Sequence, residues 1–138
     1  MSWKAKMDEW GGGDISFLSE DGEAIIFVVV GEPELLAGKY KGRPSERIGC
    51  PIVTLDGYTL FIAGKRIARR LARFEDRFKT AAFMLVRKGE HNDIETTYDL
   101  TVCEDVDTTK KLFALAKTDF DPKMVKDSID AANEVMKG

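Results

Sequence analysis

Ile48-Gly-Cys-Pro-Ile-Val-Thr-Leu-Asp-Gly-Tyr-Thr-Leu-Phe-Ile-Ala-Gly64 is the stretch from which the fold is read. Both halves are rich in β-branched and aromatic residues, the composition of strands. Asp56-Gly57 between them is the best hairpin signal in the chain, because Gly reaches the positive φ that a tight turn needs. Gly64 ends the second of these strands. From Lys65 to Phe78, Ile67, Leu71, Phe74 and Phe78 then recur at helical spacing. The centre of the chain therefore reads strand, tight turn, strand, helix.

Working outward, Ala24 to Val30 is the strongest strand upstream. It is apolar on both faces, which suits a central position. Gly31 and Pro33 interrupt it, and Leu35, Leu36 and Tyr40 predict that the extended chain resumes to about Lys41. A strand that bends at a glycine and continues is common where a sheet curves. Lys41 to Ser45 reads as a basic turn before the strand Ile48–Thr54, in which Pro51 marks an edge or a bulge. Ile15 to Leu18 is a short extended candidate, and Glu20-Asp21-Gly22 a turn. Downstream, Ala81 to Val86 is a fourth strand. Thr96 to Cys103 is a half-buried fifth, with Tyr98, Leu100 and Val102 on one face. Asp107 or Thr108 caps a helix to Lys117. Asp121-Pro122 starts a last helix striped by Val125, Ile129, Ala132 and Met136. At the other end, Trp3, Met7 and Trp10 share one face of a short helix, which Gly11-Gly-Gly13 breaks.

The order strand, strand, strand, helix, strand, strand predicts an α+β chain, mainly β, built as a five-stranded OB-type barrel. In it a helix lies between strands 3 and 4, and a helical C-terminus follows. The chain divides into an N-terminal arm (1–13), the barrel domain (14–104) and a C-terminal helical extension (105–138).

Charge is distributed unevenly. The whole chain has net charge −3 and pI about 5.3. Residues 39–88 carry 13 basic and 4 acidic side chains, or +9, whereas residues 1–38 and 89–138 are each −6. A fold can gather such a basic middle onto one face, the local footprint of a nucleic-acid binder. With 43% apolar and 33% charged residues, the chain reads as an ordinary soluble globular protein. The longest apolar run is strand-sized, too short for a membrane span. Two cysteines far apart and no secretory signal predict reduced thiols and a cytoplasmic location, the host cytoplasm if the protein is viral.

Phe27-Val-Val-Val-Gly-Glu-Pro33, Gly38-Lys-Tyr-Lys-Gly-Arg-Pro-Ser45, Arg47-Ile-Gly-Cys-Pro51 and Leu60-Phe-Ile-Ala-Gly-Lys-Arg-Ile-Ala-Arg-Arg-Leu71 are similar in layout and wording to the small OB-fold single-stranded DNA-binding proteins of bacteriophages. The resemblance covers roughly residues 15–104. It implies a protein that coats and protects single strands during replication and recombination, with little sequence preference, and that works beside other replication proteins. The chain departs from many single-strand binders in lacking a disordered acidic tail with an aromatic tip, since it ends in Asn133-Glu-Val-Met-Lys-Gly138.

Single-strand binding needs cations along a groove and aromatic faces on which bases stack. Lys39, Lys41, Arg43 and Arg47 are the first candidates for phosphate contacts. Leu60 and Ile62 share a face expected inside the barrel, so Thr59 and Phe61 are expected to point outward. Phe61 and Tyr40 are the stacking candidates, with Tyr58 at the hairpin edge. Lys65, Arg66, Arg69 and Arg70 on the helix either extend the groove or form a plain solvated face. Charge reversal at Arg43 and Arg47 is expected to abolish binding, and at Arg73 to leave it nearly unchanged.

An enzyme is not expected. His91 is the only histidine, and it lies in a polar turn. No Cys/His cluster suits zinc, and no phosphate-loop motif is present, so neither a metal nor a cofactor is called for. Glu90, Asp93, Glu95 and Asp99 leave open a metal-dependent nuclease. A protein-interaction or assembly adaptor on the same scaffold is the other alternative. DNA against RNA and homo-oligomer formation are also left open.

Overall fold

The computed structural model describes residues 15–16, 22–40, 43–89 and 97–137. Seven strands form one sheet: β1 (Ile15–Ser16), β2 (Ala24–Val29), β3 (Glu34–Tyr40), β4 (Arg43–Thr54), β5 (Gly57–Ala63), β6 (Phe83–Lys88) and β7 (Thr97–Val102). Helix α1 (Lys65–Ala72) and a 3₁₀ turn (Glu75–Arg77) connect β5 to β6. Helices α2 (Val106–Thr118) and α3 (Pro122–Lys137) follow β7. The α+β class is as expected.

The hairpin at the centre forms where the sequence puts it. β4 and β5 pair antiparallel from Thr54↔Gly57 to Ile48↔Ala63. Gly57 takes φ +111°, a conformation that a side chain would strain. The hydroxyl of Thr54 accepts from the Asp56 N–H at 3.1 Å and tightens the turn.

β4 is longer than the sequence suggests, 12 residues from Arg43. The expected basic turn 41–45 is therefore mostly strand, with Tyr40 opposite Arg43 and Lys39 opposite Pro44. Along that same edge, β4 pairs first with β3 (Glu34↔Gly49) and then with β2 (Val29↔Ile52). β2 and β3 are thus one interrupted strand, as the glycine bend predicts. The bend sits over Pro51: a Cβ on Gly31 would lie 3.1 Å from the Pro51 Cβ. This also explains a proline in a central strand. Pro51 C=O accepts from Val30 N–H at 3.0 Å, so the missing Pro51 N–H faces the bend, where the ladder is broken anyway. Pro51 is buried in an interior strand, not on an edge, and faces the extra residues 30–33 of the bend.

The barrel is not formed. The strand order is β1-β5-β4-β2-β6-β7, with β3 on β4, and the sheet stays open. Among the described residues, β7 pairs only with β6, and the outer edge of β5 carries β1 in parallel, Ile15 opposite Leu60. An edge already occupied by β1 is not free to receive β7.

Helices cover both faces of the sheet instead. On one face, Phe27, Cys50, Ile52, Phe61, Phe83 and Leu85 pack under Ile67, Leu71, Phe74 and Phe78. Phe83 is the hub, with ring centroids of Phe74 and Phe78 at 5.4 and 5.8 Å. On the other face, Val28, Val53 and Ala82 meet Leu112 of α2, and Leu36, Leu60 and Ile62 meet Ala132 of α3. Two end assignments shift. α2 is capped by Asp105, whose carboxylate accepts from Thr108 N–H at 3.1 Å, rather than by Asp107 or Thr108. α1 stops at Ala72 rather than running to Phe78, and the chain continues as the 3₁₀ turn. Asp121 accepts from Lys123 N–H at 2.9 Å at the start of α3, as predicted. No helix among the described residues is long and apolar enough to cross a membrane.

Candidate nucleic-acid interface

Helix α1 buries one stripe and leaves the rest to solvent. Leu71 is buried and Ile67 half-buried, while Lys65, Arg66, Arg69, Arg70 and Arg73 are exposed. Arg77 and Lys79 continue this surface beyond the helix. Residues 65–79 hold seven cations and two carboxylates, Glu75 and Asp76, or +5. Two of these cations have engaged side chains. Lys65 pairs with Glu46 at 2.8 Å, both about half exposed, a geometry of small net worth. Arg70 donates to the carbonyl of Tyr98 at 2.8 Å.

Arg47 of β4 stands opposite Leu36, on the sheet face that α3 covers. Its guanidinium reaches Gly64 at the start of α1, 3.4 Å from where a Cβ there would sit. Helix α1 itself gathers Lys65, Arg66, Arg69 and Arg70, and Arg47 reaches only its start, from the other face. Lys39, Tyr40 and Arg43 lie in the β3–β4 hairpin, and their side chains are outside the described residues, as is all of Lys41.

The two aromatic candidates on β5 lie elsewhere. Phe61 is 3% exposed and sits in the core beneath α1. Thr59 is buried as well. The alternation of β5 predicts both to point outward, but helices cover both faces of the strand, so alternation along it separates two cores rather than a core from solvent. Tyr58 is half-buried under the C-terminal helices. Its hydroxyl and that of Ser128 are hydrogen-bonded at 2.7 Å, and its ring packs on Phe120 at 5.3 Å. Neither ring is presented to a strand of nucleic acid beside α1.

A cleft flanks α1 on each side. One, of about 410 Å³, runs between α1 and the β2–β4 bend. Val29, Pro33, Ile48, Cys50, Ala68 and Phe78 make it apolar, and Lys65 and Arg69 stand at its rim. Burial pushes the Cys50 thiol up to about 11, so at neutral pH it is a protonated, unreactive part of that wall. The other cleft, of about 350 Å³, runs between the end of α1 and β7. Arg70, Arg73 and Phe74 line one side; Tyr98, Asp99, Leu100 and Thr101 line the other. In that wall, Asp99 pairs with Lys88 at 2.6 Å, and that hydrogen bond and charge raise the Lys88 ammonium above the usual lysine range.

Tyr98 and Phe74 are the aromatics that sequence reasoning does not assign to the site. The alternation of β7 puts Tyr98 on its inner face, but nothing local shows that this face ends beside Arg70. Arg73, expected to be indifferent, lines the same cleft. Trp3, Met7, Trp10, Gly11-Gly-Gly13, His91, Glu90, Asp93 and Glu95 lie outside the described residues. Among the described residues, no three His, Cys, Asp or Glu side chains are grouped to hold a metal ion. Comparison with protein-family models, curated proteins and solved structures finds no match.

Proposed function

We propose that the protein binds single-stranded nucleic acid, DNA in the first place, without sequence preference, and coats it during phage-type replication or recombination. The supporting observation is the exposed cationic surface of α1: Arg66, Arg69, Arg70 and Arg73. These guanidiniums suit phosphates, which they bind in bidentate fashion. The short β4–β5 hairpin, the interrupted first strand and the helix that follows β5 support the resemblance to the phage single-strand binders, here on an open sheet. The site moves accordingly, from the loop and strand region 39–61 to the helix. A cytoplasmic location goes with this reading, as do other replication proteins as partners.

Binding of this kind exchanges condensed counterions for side chains, so affinity falls steeply with salt. An electrophoretic titration at low salt compares a single strand with the duplex of the same sequence. Tighter binding to the single strand, weakened by Arg66→Glu with Arg69→Glu, is the expected result. Equal affinity for strand and duplex sinks the proposal.

The adaptor reading draws on a separate observation, the apolar cleft on the other flank of α1. It predicts saturable binding of a purified replication protein that Ala68→Phe, which fills the cleft, abolishes while DNA binding persists.

A further inference from the structure

We infer that the cleft between α1 and β7 receives one unpaired base of the bound strand, with the adjoining phosphate held by Arg70 and Arg73. The inference rests on the DNA-binding reading and adds to it a subsite that tells a single strand from a duplex. At about 350 Å³ the cleft has the size of a small-ligand pocket. Its walls supply the two things a nucleotide asks for. Phe74 and Tyr98 offer aromatic surface, Arg70 and Arg73 offer cations, and the one carboxylate of the lining, Asp99, is paired with Lys88.

Tyr98 is held in place before any ligand arrives. Its hydroxyl accepts from the Arg87 guanidinium at 2.9 Å, and the same guanidinium stands over the ring, 5.7 Å from its centroid. Arg87 is itself 9% exposed and tied to the Gly89 carbonyl at 2.9 Å. A ring fixed in this way loses little side-chain entropy on stacking.

The backbone faces the same cleft. Arg87 N–H donates to Glu23 on the far side of β6, so Tyr98, opposite Arg87, turns its own N–H and C=O away from β6. Arg70 takes that carbonyl. Leu100, two residues along, turns its N–H and C=O the same way. A donor and an acceptor from the main chain serve the edge of any base, in keeping with binding that ignores sequence. A paired base has its Watson–Crick edge and both faces engaged, so a duplex is shut out.

The test uses the full chain and two probes, an oligothymidylate and the same oligomer with abasic residues, each titrated at several salt concentrations. The wild type is expected to bind the oligothymidylate roughly five- to a hundredfold more tightly than the abasic strand, the range for one stacked base. Tyr98→Leu is expected to erase that preference yet keep abasic binding and its salt slope, and Tyr98→Phe to restore the preference. Arg70→Gln with Arg73→Gln weakens both probes. If Tyr98→Leu and wild type show the same preference, or if the wild type has none while still binding both probes, the base subsite is wrong and the phosphate-binding face stands. If the wild type binds neither probe, the DNA-binding reading falls and takes the subsite with it. An acidic aromatic peptide that saturates the cleft, with no base-dependent DNA binding, overturns the inference in favour of a protein ligand.

Discussion

Among the described residues, one face of the sheet is covered by α1 and the 3₁₀ turn after it, and the other by α2 and α3. Both helical layers bury apolar stripes, but they differ in what they leave to solvent. Residues 65–79 carry +5, while residues 104–137 carry eight carboxylates and six ammonium groups, or −2. They also differ in fit. α2 and α3 place Leu112, Ser128 and Ala132 at 1% exposure or less. The eight-residue α1 leaves a cleft on either flank. A layer too narrow for its sheet leaves apolar and aromatic side chains accessible beside its charges, which is what a ligand needs. Helices α2 and α3 also leave Val106 and Met124 exposed, on a layer of net negative charge. The proposed binding surface is put on α1 because of this pairing of charge with incomplete cover.

The largest effect expected from breaking that comparison is structural. Phe61→Ala, in the core under α1, removes a fully packed ring and is expected to cost about 3–5 kcal/mol in urea unfolding. An exposed stacking residue at that position would instead lose DNA affinity with unchanged stability. Next comes the charge contrast. Arg66→Glu with Arg69→Glu is expected to lower single-strand affinity on the order of a hundredfold at low salt. The salt slope is expected to flatten by about 0.7 for each phosphate that is no longer neutralised. Lys123→Glu with Lys126→Glu on α3 is the matched control, expected to change affinity little. Equal losses from the two faces would mean that net charge, and not the α1 surface, governs binding.

Cys50 tests the closed wall of the apolar cleft. Its thiol, at 4% exposure, is held protonated by burial, near 11 in the folded chain against 9.0 for a free thiol. A raised pKa means that the folded state keeps the proton longer than the unfolded one. The stability is therefore present below pH 9 and lost as pH rises towards about 11, by roughly 2–3 kcal/mol. Cys50→Ala is expected to lose that part of the alkaline slope in denaturant titrations, and an unchanged slope would count against burial of the thiol. On the opposite face, Tyr58→Phe removes the hydrogen bond to Ser128 and is expected to cost about 1 kcal/mol with DNA affinity intact. The smallest effect belongs to Asp99→Asn, which breaks an exposed pair with Lys88. Thermal unfolding is expected to be nearly unchanged.

Legibility follows the range of the interaction. The Asp56-Gly57 turn, the bend at Gly31 and the Asp121-Pro122 helix start are readable because a few adjacent residues carry each signal. The faces of β5 are not. Tyr58 to Ala63 contains a single mid-strand polar residue, Thr59, and a strand that apolar is as consistent with helices on both sides as with a barrel wall. The cationic helix is visible by count. Tyr98 does not stand out, because its link to Arg70 spans 28 positions.

By itself the sequence determined the α+β class, the succession of strands and helices, and a basic middle set between acidic flanks. These depend on turn chemistry, hydrophobic period and composition, all local properties. Only the tertiary structure decided that β1 takes the edge of β5, that the sheet stays open, and that Phe61 goes inside while Tyr98 and Arg70 meet. Those outcomes depend on which distant edges and faces find each other, and the free energy of such pairings belongs to no single stretch of chain.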